Sequence, residues 1–270
     1  MYHIFSGPAS RADGLAAYLE SMQVQCVDVD VVYCRPGASR APHDLSTDAP
    51  WEKLRALMEQ GQILGVWLGT PCSTFSRARG HGPGPRPLRS LDHMYGLPRA
   101  ELTPAEAEQV REGTYFALKS AELATSAVAQ GIPFALENPE PWDNSVSLFR
   151  IPEIEALASL PGVVHTNFDQ CRLGGETAKP TRLLFFKLDL SGWEWRCNHP
   201  PRPWRYRGWK GRERRHWGPR PPLVGRRRED GKPATSAASA YPSEMNRLIA
   251  GSFAQALERP DVGSQSSTVQ

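Results

Sequence analysis

The segment that most constrains the fold is residues 63–79, where an apolar run stops at a Gly-Thr-Pro-Cys turn. The run at residues 63–68 is typical of a buried strand, and Pro71 ends it because proline cannot donate a ladder hydrogen bond. Cys72 is therefore predicted just past the carboxyl end of a strand, where open parallel sheets bind ligands. A cysteine there is either a small buried hydrophobic residue or a nucleophile, and the other segments decide between these two interpretations.

Strand and helix patterns alternate along residues 2–188, which predicts an α/β sheet. A strand at residues 2–5 precedes a small-residue turn and a helix whose apolar residues recur at helical spacing. This is the first unit of a nucleotide-binding sheet, although a plain strand-to-helix turn has the same pattern. The next strand, residues 24–32, carries Asp28 and Asp30. An acid at that position either binds ribose hydroxyls or is simply solvated.

A second chemically active residue is predicted on the strand that follows the Cys72 unit. Thr103-Pro104-Ala105-Glu106 has the N-cap, N1 proline and capping-box acid that begin a helix, which extends to Gln130. A short apolar strand at residues 132–137 then ends at Glu137. Because neighbouring parallel strands end at the same edge, Cys72 and Glu137 are expected to face one cleft. The alternative is a solvated strand terminator, but the buried strand and the proline turn around Glu137 favour a placed carboxyl group.

The net charge of +3 hides an uneven distribution of charge. Residues 202–228 hold eleven Lys or Arg residues and one acid, a formal +10, whereas the rest of the chain carries a formal −7. The same tract contains Trp204, Tyr206, Trp209 and Trp217. Because arginines neutralise phosphates and aromatic rings stack on exposed bases, the tract is predicted to bind nucleic acid. A disordered basic linker is the alternative.

The cysteines indicate a reducing compartment. The five cysteines form no paired framework, so we expect a cytoplasmic protein, or a nuclear one in a eukaryote. No run of about 18 apolar residues occurs, and no membrane partner is expected. Cys197 and His199 are spaced like zinc ligands, with Cys171 as a third, but no second close pair accompanies them. The sequence therefore predicts no metal site.

Taken in order, these segments resemble the DNA cytosine-5 methyltransferase family, which are class I S-adenosylmethionine-dependent enzymes, over most of residues 2–188. Thr70-Pro71-Cys72-Ser73 is similar to the family's Pro-Cys-Gln motif, and Glu137-Asn138-Pro139 is similar to its Glu-Asn-Val motif. Phe5-Ser6-Gly7 resembles the first motif. Asp28 and Asp44 stand where the family has acids that meet the ribose and the adenine.

The resemblance implies a role for each matched residue. Cys72 is the nucleophile and Glu137 the acid, whereas the residues that bind the cofactor S-adenosylmethionine are Phe5, Gly7, Asp28, Asp44 and Pro71. The resemblance implies that Ser73 and Asn138 contact the substrate. Independently of the resemblance, Arg77 and Arg79 in the loop after Cys72 are expected to touch phosphates, and Arg212, Arg214 and Trp209 of the basic tract are expected to bind nucleic acid. The family's Gln-x-Arg-x-Arg motif is not intact. Gln170-Cys171-Arg172 and Lys179-Pro180-Thr181-Arg182 are both candidates for it, so Arg172 and Arg182 are the basic residues expected to face the base.

The resemblance also implies the fold and the activity. A Rossmann-like class I methyltransferase sheet with helices on both faces is expected, with residues 1–188 as the cofactor-binding catalytic domain. Residues 189–233 form a small basic insertion that contacts nucleic acid, residues 234–257 a helix that returns to the catalytic domain, and residues 258–270 a flexible tail. The implied reaction is methyl transfer to carbon 5 of cytosine in DNA through a covalent Cys72 adduct. The alternatives are the same chemistry on RNA or a free nucleotide, and a catalytically silent nucleic-acid-binding protein.

Overall fold

The computed structural model describes residues 1–6, 11–30, 44–76, 78–80, 85–208 and 210–258. Gly7, Arg77, Trp209 and the tail from residue 259, which carry expectations from the sequence, lie outside the described residues. The chain has an α/β fold with a six-stranded mixed sheet and a separate three-stranded antiparallel sheet.

The elements follow one another in this order along the described chain. The strands of the large sheet are β1 (Tyr2–Ile4), β2 (Val27–Val29), β3 (Val66–Leu68), β4 (Phe134–Pro139), β5 (Val163–Asp169) and β6 (Pro180–Phe186). The small sheet consists of β7 (Arg202–Gly208), β8 (Glu213–Gly218) and β9 (Arg226–Arg227). The helices are α1 (Leu15–Ser21), α2 (Asp48–Glu59), α3 (Pro104–Ala129), α4 (Pro152–Ala158), α5 (Ala234–Ala237) and α6 (Ser243–Glu258).

The order of strands in the large sheet is β2-β1-β3-β4-β6-β5. The first four strands run parallel, and β6 runs antiparallel to both of its neighbours. From β1 the chain moves to one side to form β2 and then crosses to the other side of β1 to form β3. The carboxyl ends of β1 and β3 therefore form a topological switch point, which is where open α/β sheets bind ligands.

Helices cover both faces of the large sheet, as the sequence predicts. Side chains of a strand point alternately to the two faces, so Leu68 and Leu136 pack in the core under α2, α3 and α4. Trp67 and Ala135, one position earlier, belong to the second core, which α1 and α6 cover. The near-continuous burial of β3 and β4 follows from this double coverage.

The long helix α3 confirms the prediction made from its first residues. The Thr103 side chain accepts a hydrogen bond from the Glu106 backbone N–H at 3.3 Å, and the Glu106 carboxylate accepts one from the Thr103 backbone N–H at 2.9 Å. The helix ends at Ala129, and Gly131 follows with φ of +68°, a conformation that favours glycine. The predicted end at Gln130 differs by one residue.

Two predicted elements differ from the observed ones. Residues 144–160, where the sequence pattern predicts one helical unit, contain a 3₁₀ turn, Leu148–Arg150, followed by α4. The break has a physical reason, because Pro152 lacks the N–H that a continuing helix needs and instead occupies the first turn of α4. The basic tract, for which a disordered linker was an alternative, forms the small sheet β7–β9.

The small sheet is attached to the body that contains the large sheet by hydrogen bonds from two arginines. Arg220 Nη2 donates to the Gly175 carbonyl at 2.5 Å, and Arg226 Nη1 donates to Glu176 Oε1 at the same distance. Gly175 and Glu176 lie in the turn between β5 and β6. In the part of the chain that the structure describes, no helix combines the length and apolar character needed to cross a bilayer.

Candidate active site

A cleft of about 1970 Å³ opens at the carboxyl ends of β1, β3 and β4. The residues on its wall that matter for the chemistry below are His3, Asp28, Cys72, Glu137, Lys179 and Tyr241. The small sheet and the segment after it contribute His216, Arg226 and Arg228 to the same wall. The cleft is therefore lined both by residues at the edge of the large sheet and by basic groups of the small sheet and the segment after it.

Cys72 lies in the turn that follows β3, as predicted. Its carbonyl accepts hydrogen bonds from the backbone N–H groups of Phe75, at 3.0 Å, and Ser76, at 2.8 Å, so the thiol is carried by a closed turn. The residue is half-buried and its sulfur is a free thiol. Burial raises the pKa of the Cys72 thiol, the nearby charge of Glu137 raises it further, and Lys179 opposes both effects.

Glu137 lies on β4, beside β3 in the sheet, and is only 6 % exposed. Its Oε2 accepts a hydrogen bond from the Tyr241 hydroxyl at 2.9 Å. Its Oε1 is buried and has no hydrogen-bond partner among the described residues; the Lys179 ammonium lies 3.9 Å from it. Because a buried acceptor without a donor is costly, this oxygen is suited to a donor that a ligand brings.

The resemblance assigns no role to two residues of this group, Lys179 and Tyr241. Lys179 belongs to the candidate remnant of the Gln-x-Arg-x-Arg motif, but the basic residue of that remnant that is expected to face the base is Arg182. Tyr241 carries no motif; the only signal is its position in a small-residue stretch just before the last helix. Lys179 Nζ also lies 5.5 Å from the centre of the Tyr241 ring, so the two residues flank Glu137 together.

Asn138 holds the turn rather than lining the cleft. Its Nδ2 donates to the Thr70 carbonyl at 2.7 Å, and the residue is 1 % exposed. The Thr70 hydroxyl in turn donates to Ser120 Oγ on α3 at 2.8 Å. The side chain expected to contact a substrate therefore joins the ends of β4 and β3, whereas Pro71 and Ser73 do lie on the cleft wall.

The switch point carries the residues expected to bind the cofactor. Phe5 has φ of +61°, a left-handed conformation unusual for a residue with a side chain, and its ring packs against Trp51 and Phe116. Asp28 is on the cleft wall, where its Oδ1 is 2.9 Å from His3 Nδ1. His3 is 95 % buried and the sequence pattern did not single it out, because a histidine inside an apolar strand carries no distinctive signal.

Asp44 has a local role in the structure. Its Oδ1 accepts hydrogen bonds from the Ser46 backbone N–H at 3.0 Å and from the Ser46 hydroxyl at 2.5 Å, which closes the turn before α2. Among the described residues that line the cleft, Asp44 does not occur. The expected contact between Asp44 and an adenine therefore stays a prediction.

The loop after Cys72 is fastened to α3 by two arginines. Arg79 lines the cleft, but its guanidinium donates to the Ser73 carbonyl, the Arg86 carbonyl and Gln109 Oε1. Arg89 is 2 % exposed, and its guanidinium lies 3.9 Å above the Phe75 ring. Burial lowers the pKa of Arg89 to about 10. Arg89 is therefore a structural residue of this loop and is not available to contact phosphates.

Neither arginine of the predicted Gln-x-Arg-x-Arg remnants lies on the cleft wall. Arg172 is exposed and donates to the Arg196 carbonyl at 3.1 Å. Arg182 donates to Asn167 Oδ1 at 2.8 Å and lies over the Phe149 ring. The alternation of side chains along β6 explains this, because Arg182 has the same parity as Leu184 and points to the face covered by α4.

The small sheet presents an exposed basic surface. Arg212, in the turn before β8, and Arg214, on β8, are both exposed. Cross-strand pairing places Tyr206 opposite Arg214 and Arg205 opposite Arg215. Trp217 is 68 % exposed, which is unusual for so large an apolar side chain. The surface therefore combines cations with an accessible indole ring.

A cluster outside the cleft unites three residues whose zinc-like spacing was noted in the sequence. The ligand atoms of Cys171, Cys197 and His199 all lie within 4.8 Å of one another. The sequence predicts no metal site because no second close pair of ligands accompanies Cys197 and His199; the fold brings Cys171, which is 26 positions before Cys197, beside them. The cluster is the strongest candidate for a metal centre in the described residues.

Comparison of the chain with models of protein families, with curated proteins and with solved structures finds no match in any of the three. The functional argument therefore depends on the geometry of the cleft.

Proposed function

We propose that the protein transfers a methyl group from S-adenosylmethionine to carbon 5 of cytosine in DNA. The observation that carries this proposal is the pairing of Cys72 and Glu137 at the tips of adjacent parallel strands in one cleft. Methylation at this carbon needs a thiol and a carboxyl group together, because carbon 5 of cytosine is a poor nucleophile until carbon 6 has been attacked.

The proposed roles of the two residues follow from the electron flow. The Cys72 thiolate forms a bond to carbon 6 while the Glu137 carboxyl group donates a hydrogen bond or proton to ring nitrogen 3. Carbon 5 would then carry the electron density of an enamine and could accept a methyl group from the sulfonium of S-adenosylmethionine, which would be released as S-adenosylhomocysteine. Loss of the proton from carbon 5 to a base restores the ring double bond, the carbon–sulfur bond breaks, and Cys72 leaves as a thiolate.

The charges around Cys72 favour ionisation of its thiol only after the base has bound. The charge of Glu137 raises the pKa of Cys72, so the thiolate is disfavoured while the carboxylate is ionised. A protonated Glu137 that is hydrogen-bonded to a cytosine ring no longer carries that charge. Lys179, whose charge lowers the pKa of Cys72, then becomes the dominant neighbour. Arrival of the base thus favours the nucleophile.

The residues at the switch point fit the proposed cofactor. Asp28 is a half-buried carboxylate at the cleft wall, and a carboxylate can accept both hydroxyls of a ribose. The left-handed backbone at Phe5 turns the chain away from β1, which allows a ligand to approach the backbone there. S-adenosylmethionine, when bound, supplies the electrophilic methyl group. Asp28 and Phe5 are the described residues that would hold it.

The position of the small sheet supports a nucleic-acid substrate. A cytosine inside a duplex cannot reach the base of a cleft, so it must be flipped out or be single-stranded. Basic residues that line the cleft, including Arg226 and Arg228, would be available to contact the sugar–phosphate backbone of a flipped nucleotide. The same geometry accepts RNA, so an RNA strand is included in the test.

The test is covalent trapping on oligonucleotides that contain 5-fluorocytosine. The wild-type protein with S-adenosylmethionine should form a gel-stable complex with DNA, because fluorine at carbon 5 cannot leave as a proton. Cys72→Ala should abolish the complex, whereas Cys26→Ala, a matched change at a distant free thiol, should leave it intact.

The outcomes separate the candidate functions. Trapping on an RNA strand alone would replace DNA by RNA as the substrate. Salt-sensitive binding of DNA with no trapping on either strand, at saturating cofactor, would show a nucleic-acid-binding protein without this activity. Trapping that survives Cys72→Ala would overturn the assignment of the nucleophile.

A further inference from the structure

One cluster of metal-binding side chains lies outside the cleft, beside the place where the small sheet joins the body. Cys171 is in the 3₁₀ turn Gln170–Leu173, which follows β5. Cys197 and His199 are in the segment between β6 and β7. Both cysteines are free thiols, and none of the three residues lines the cleft in the described part of the chain.

The distances within the cluster match a tetrahedral zinc site. Zinc–sulfur bonds of about 2.3 Å and zinc–nitrogen bonds of about 2.0–2.1 Å place a sulfur and a nitrogen ligand about 3.5 Å apart. The observed distance between Cys197 Sγ and His199 Nδ1 is 3.5 Å. The Cys171 sulfur lies within 4.8 Å of both atoms, so it needs to move only slightly toward them to complete the site.

We propose that Cys171, Cys197 and His199 bind one zinc ion, with a water molecule as the fourth ligand. Two thiolates and one imidazole are a ligand set that zinc accepts, and soft sulfur ligands exclude magnesium and calcium. Cys197 and His199 are half-buried, which leaves room for the water.

Hydrogen bonds arrange the ligands before the metal arrives. The Cys197 backbone N–H donates to Asp169 Oδ2 at 2.7 Å, and the Asp169 backbone N–H donates to the Trp195 carbonyl at 2.8 Å. Asp169 is the residue before the 3₁₀ turn that carries Cys171. The two ligand-bearing segments are therefore already held side by side, which lowers the entropic cost of forming the site.

The position of the cluster indicates a structural role for the metal. It joins the segment that leads into β7 to the turn that follows β5. Gly175 and Glu176, which accept the bonds from Arg220 and Arg226 of the small sheet, lie a few residues after Cys171. Zinc would thus add a third connection at this junction and would hold the basic sheet against the cleft.

The first experiment uses the wild-type chain. Native mass spectrometry and elemental analysis of protein purified without added metal or chelator should give one zinc ion per chain. Replacement of the zinc by cobalt should give thiolate-to-cobalt charge-transfer absorption and the strong d–d bands of a tetrahedral site. Less than stoichiometric zinc together with a cobalt spectrum without these bands would overturn the proposal, as would a Cys171–Cys197 disulfide in anaerobically purified protein.

The second experiment tests the ligands. Competition with a chromophoric chelator should show that Cys197→Ser and His199→Ala each weaken zinc affinity by at least about tenfold, whereas Cys26→Ser leaves it unchanged. Equal affinity in all four proteins would exclude this site. Where a variant fails to fold, the wild-type cobalt spectrum decides. Neither experiment measures methylation, so the result is independent of the proposed function.

Discussion

The Tyr241 hydroxyl donates a 2.9 Å hydrogen bond to Oε2 of Glu137, a residue 104 positions earlier in the chain. The bond occupies one carboxylate oxygen and leaves Oε1 on the side of Lys179, without a hydrogen-bond partner among the described residues. Burial and the Glu137 charge raise the pKa of Tyr241 well above its usual value, so the hydroxyl remains a donor at any physiological pH. Glu137 is thus oriented by a residue from the C-terminal segment.

Removal of that donor should affect both activity and stability. Tyr241→Phe keeps the ring against Trp67 but deletes a hydrogen bond to a charged group, which contributes about 1.5–3 kcal/mol. We expect methylation to fall at least about tenfold, since the carboxyl group loses its orientation. Tyr18→Phe, which removes an exposed hydroxyl bonded to Ser243, is the matched control for both assays. Equal losses in the two variants would contradict a positioning role for Tyr241.

The two charged neighbours of Cys72 should change its reactivity in opposite directions. Glu137→Gln removes the negative charge that raises the thiol pKa, so alkylation of Cys72 by iodoacetamide at neutral pH should become faster. Lys179→Met removes the charge that lowers the pKa, so alkylation should become slower. Each unit of pKa changes the thiolate fraction about tenfold below the pKa.

Peptide mass spectrometry over a series of pH values checks this prediction at the Cys72 peptide. In the wild type the alkylation rate should keep rising above pH 9, because the thiol pKa is above its usual value of 9.0. Glu153→Gln and Lys53→Met are surface controls with the same charge changes. Alkylation that shifts in the same direction for Glu137→Gln and Lys179→Met would refute the electrostatic argument.

Asp28 should contribute to cofactor affinity. Asp28→Ala deletes the carboxylate at the switch point, and two lost hydroxyl contacts predict an affinity for S-adenosylmethionine at least about tenfold lower. His3→Ala should cause a smaller loss, because the imidazole acts only by holding Asp28. Isothermal titration calorimetry measures both, with the exposed Asp92→Ala as control. Unchanged affinity in Asp28→Ala would remove this residue from the proposed cofactor site.

Arg89 should be essential for stability and not for nucleic-acid binding. Its guanidinium donates to the Met94 and Val110 carbonyls and to the Thr74 and Thr114 hydroxyls. Arg89→Met removes the donor from all four acceptors, and the Thr74 and Val110 contacts are buried, so the free energy of unfolding should fall by about 3 kcal/mol or more. Arg86→Met, at an exposed ion pair with Glu106, should have a much smaller effect. Denaturant unfolding of both variants tests the difference.

The small sheet should supply most of the affinity for nucleic acid. If about five of its basic groups meet phosphates of duplex DNA, log affinity should fall with log salt with a slope near −4 to −5. A triple change of Arg212, Arg214 and Arg215 to alanine should flatten the slope by up to about 3 and weaken all sequences alike.

A matched control for this measurement removes three arginines from the helices of the body, Arg55, which is half-buried, and the exposed Arg111 and Arg247. It changes the net charge by the same amount. Equal flattening in both triple variants would mean that net charge, and not the small sheet, sets the affinity. Trp217→Ala should weaken binding to single strands by roughly 1–3 kcal/mol if the exposed ring stacks on a base.

The sequence predicts those parts of the fold that local chemistry determines. The strand ends at Cys72 and Glu137 are marked by apolar runs that stop at proline turns, and the capping box marks the start of α3. Both signals depend on residues that are neighbours in the chain, which is why they could be identified from the sequence. The structure confirms the predicted elements and the shared cleft. The predicted cofactor and substrate roles remain proposals.

The parts that could not be predicted depend on contacts between distant segments. Tyr241 reaches Glu137 only because α6 packs beside α1 on one face of the sheet. Arg182 points away from the cleft because alternate residues of β6 face opposite sides of the sheet. A shift of one residue along the strand would reverse that orientation. The metal-binding cluster likewise requires β5 and the segment after β6 to lie side by side, which no local pattern in either segment indicates.

The reversed direction of β6 also limits where the basic surface can be. Because β6 is antiparallel to β4, its first residues lie at the cleft edge and Phe186 lies at the opposite edge, about 20 Å away. The chain must return that distance before the small sheet begins, and by Trp195 it has done so, since this residue bonds to Asp169 at the end of β5. Nine residues reach at most about 30 Å when extended. The return segment is therefore a tether of limited length, and its length limits the edge of the large sheet beside which the small basic sheet can lie.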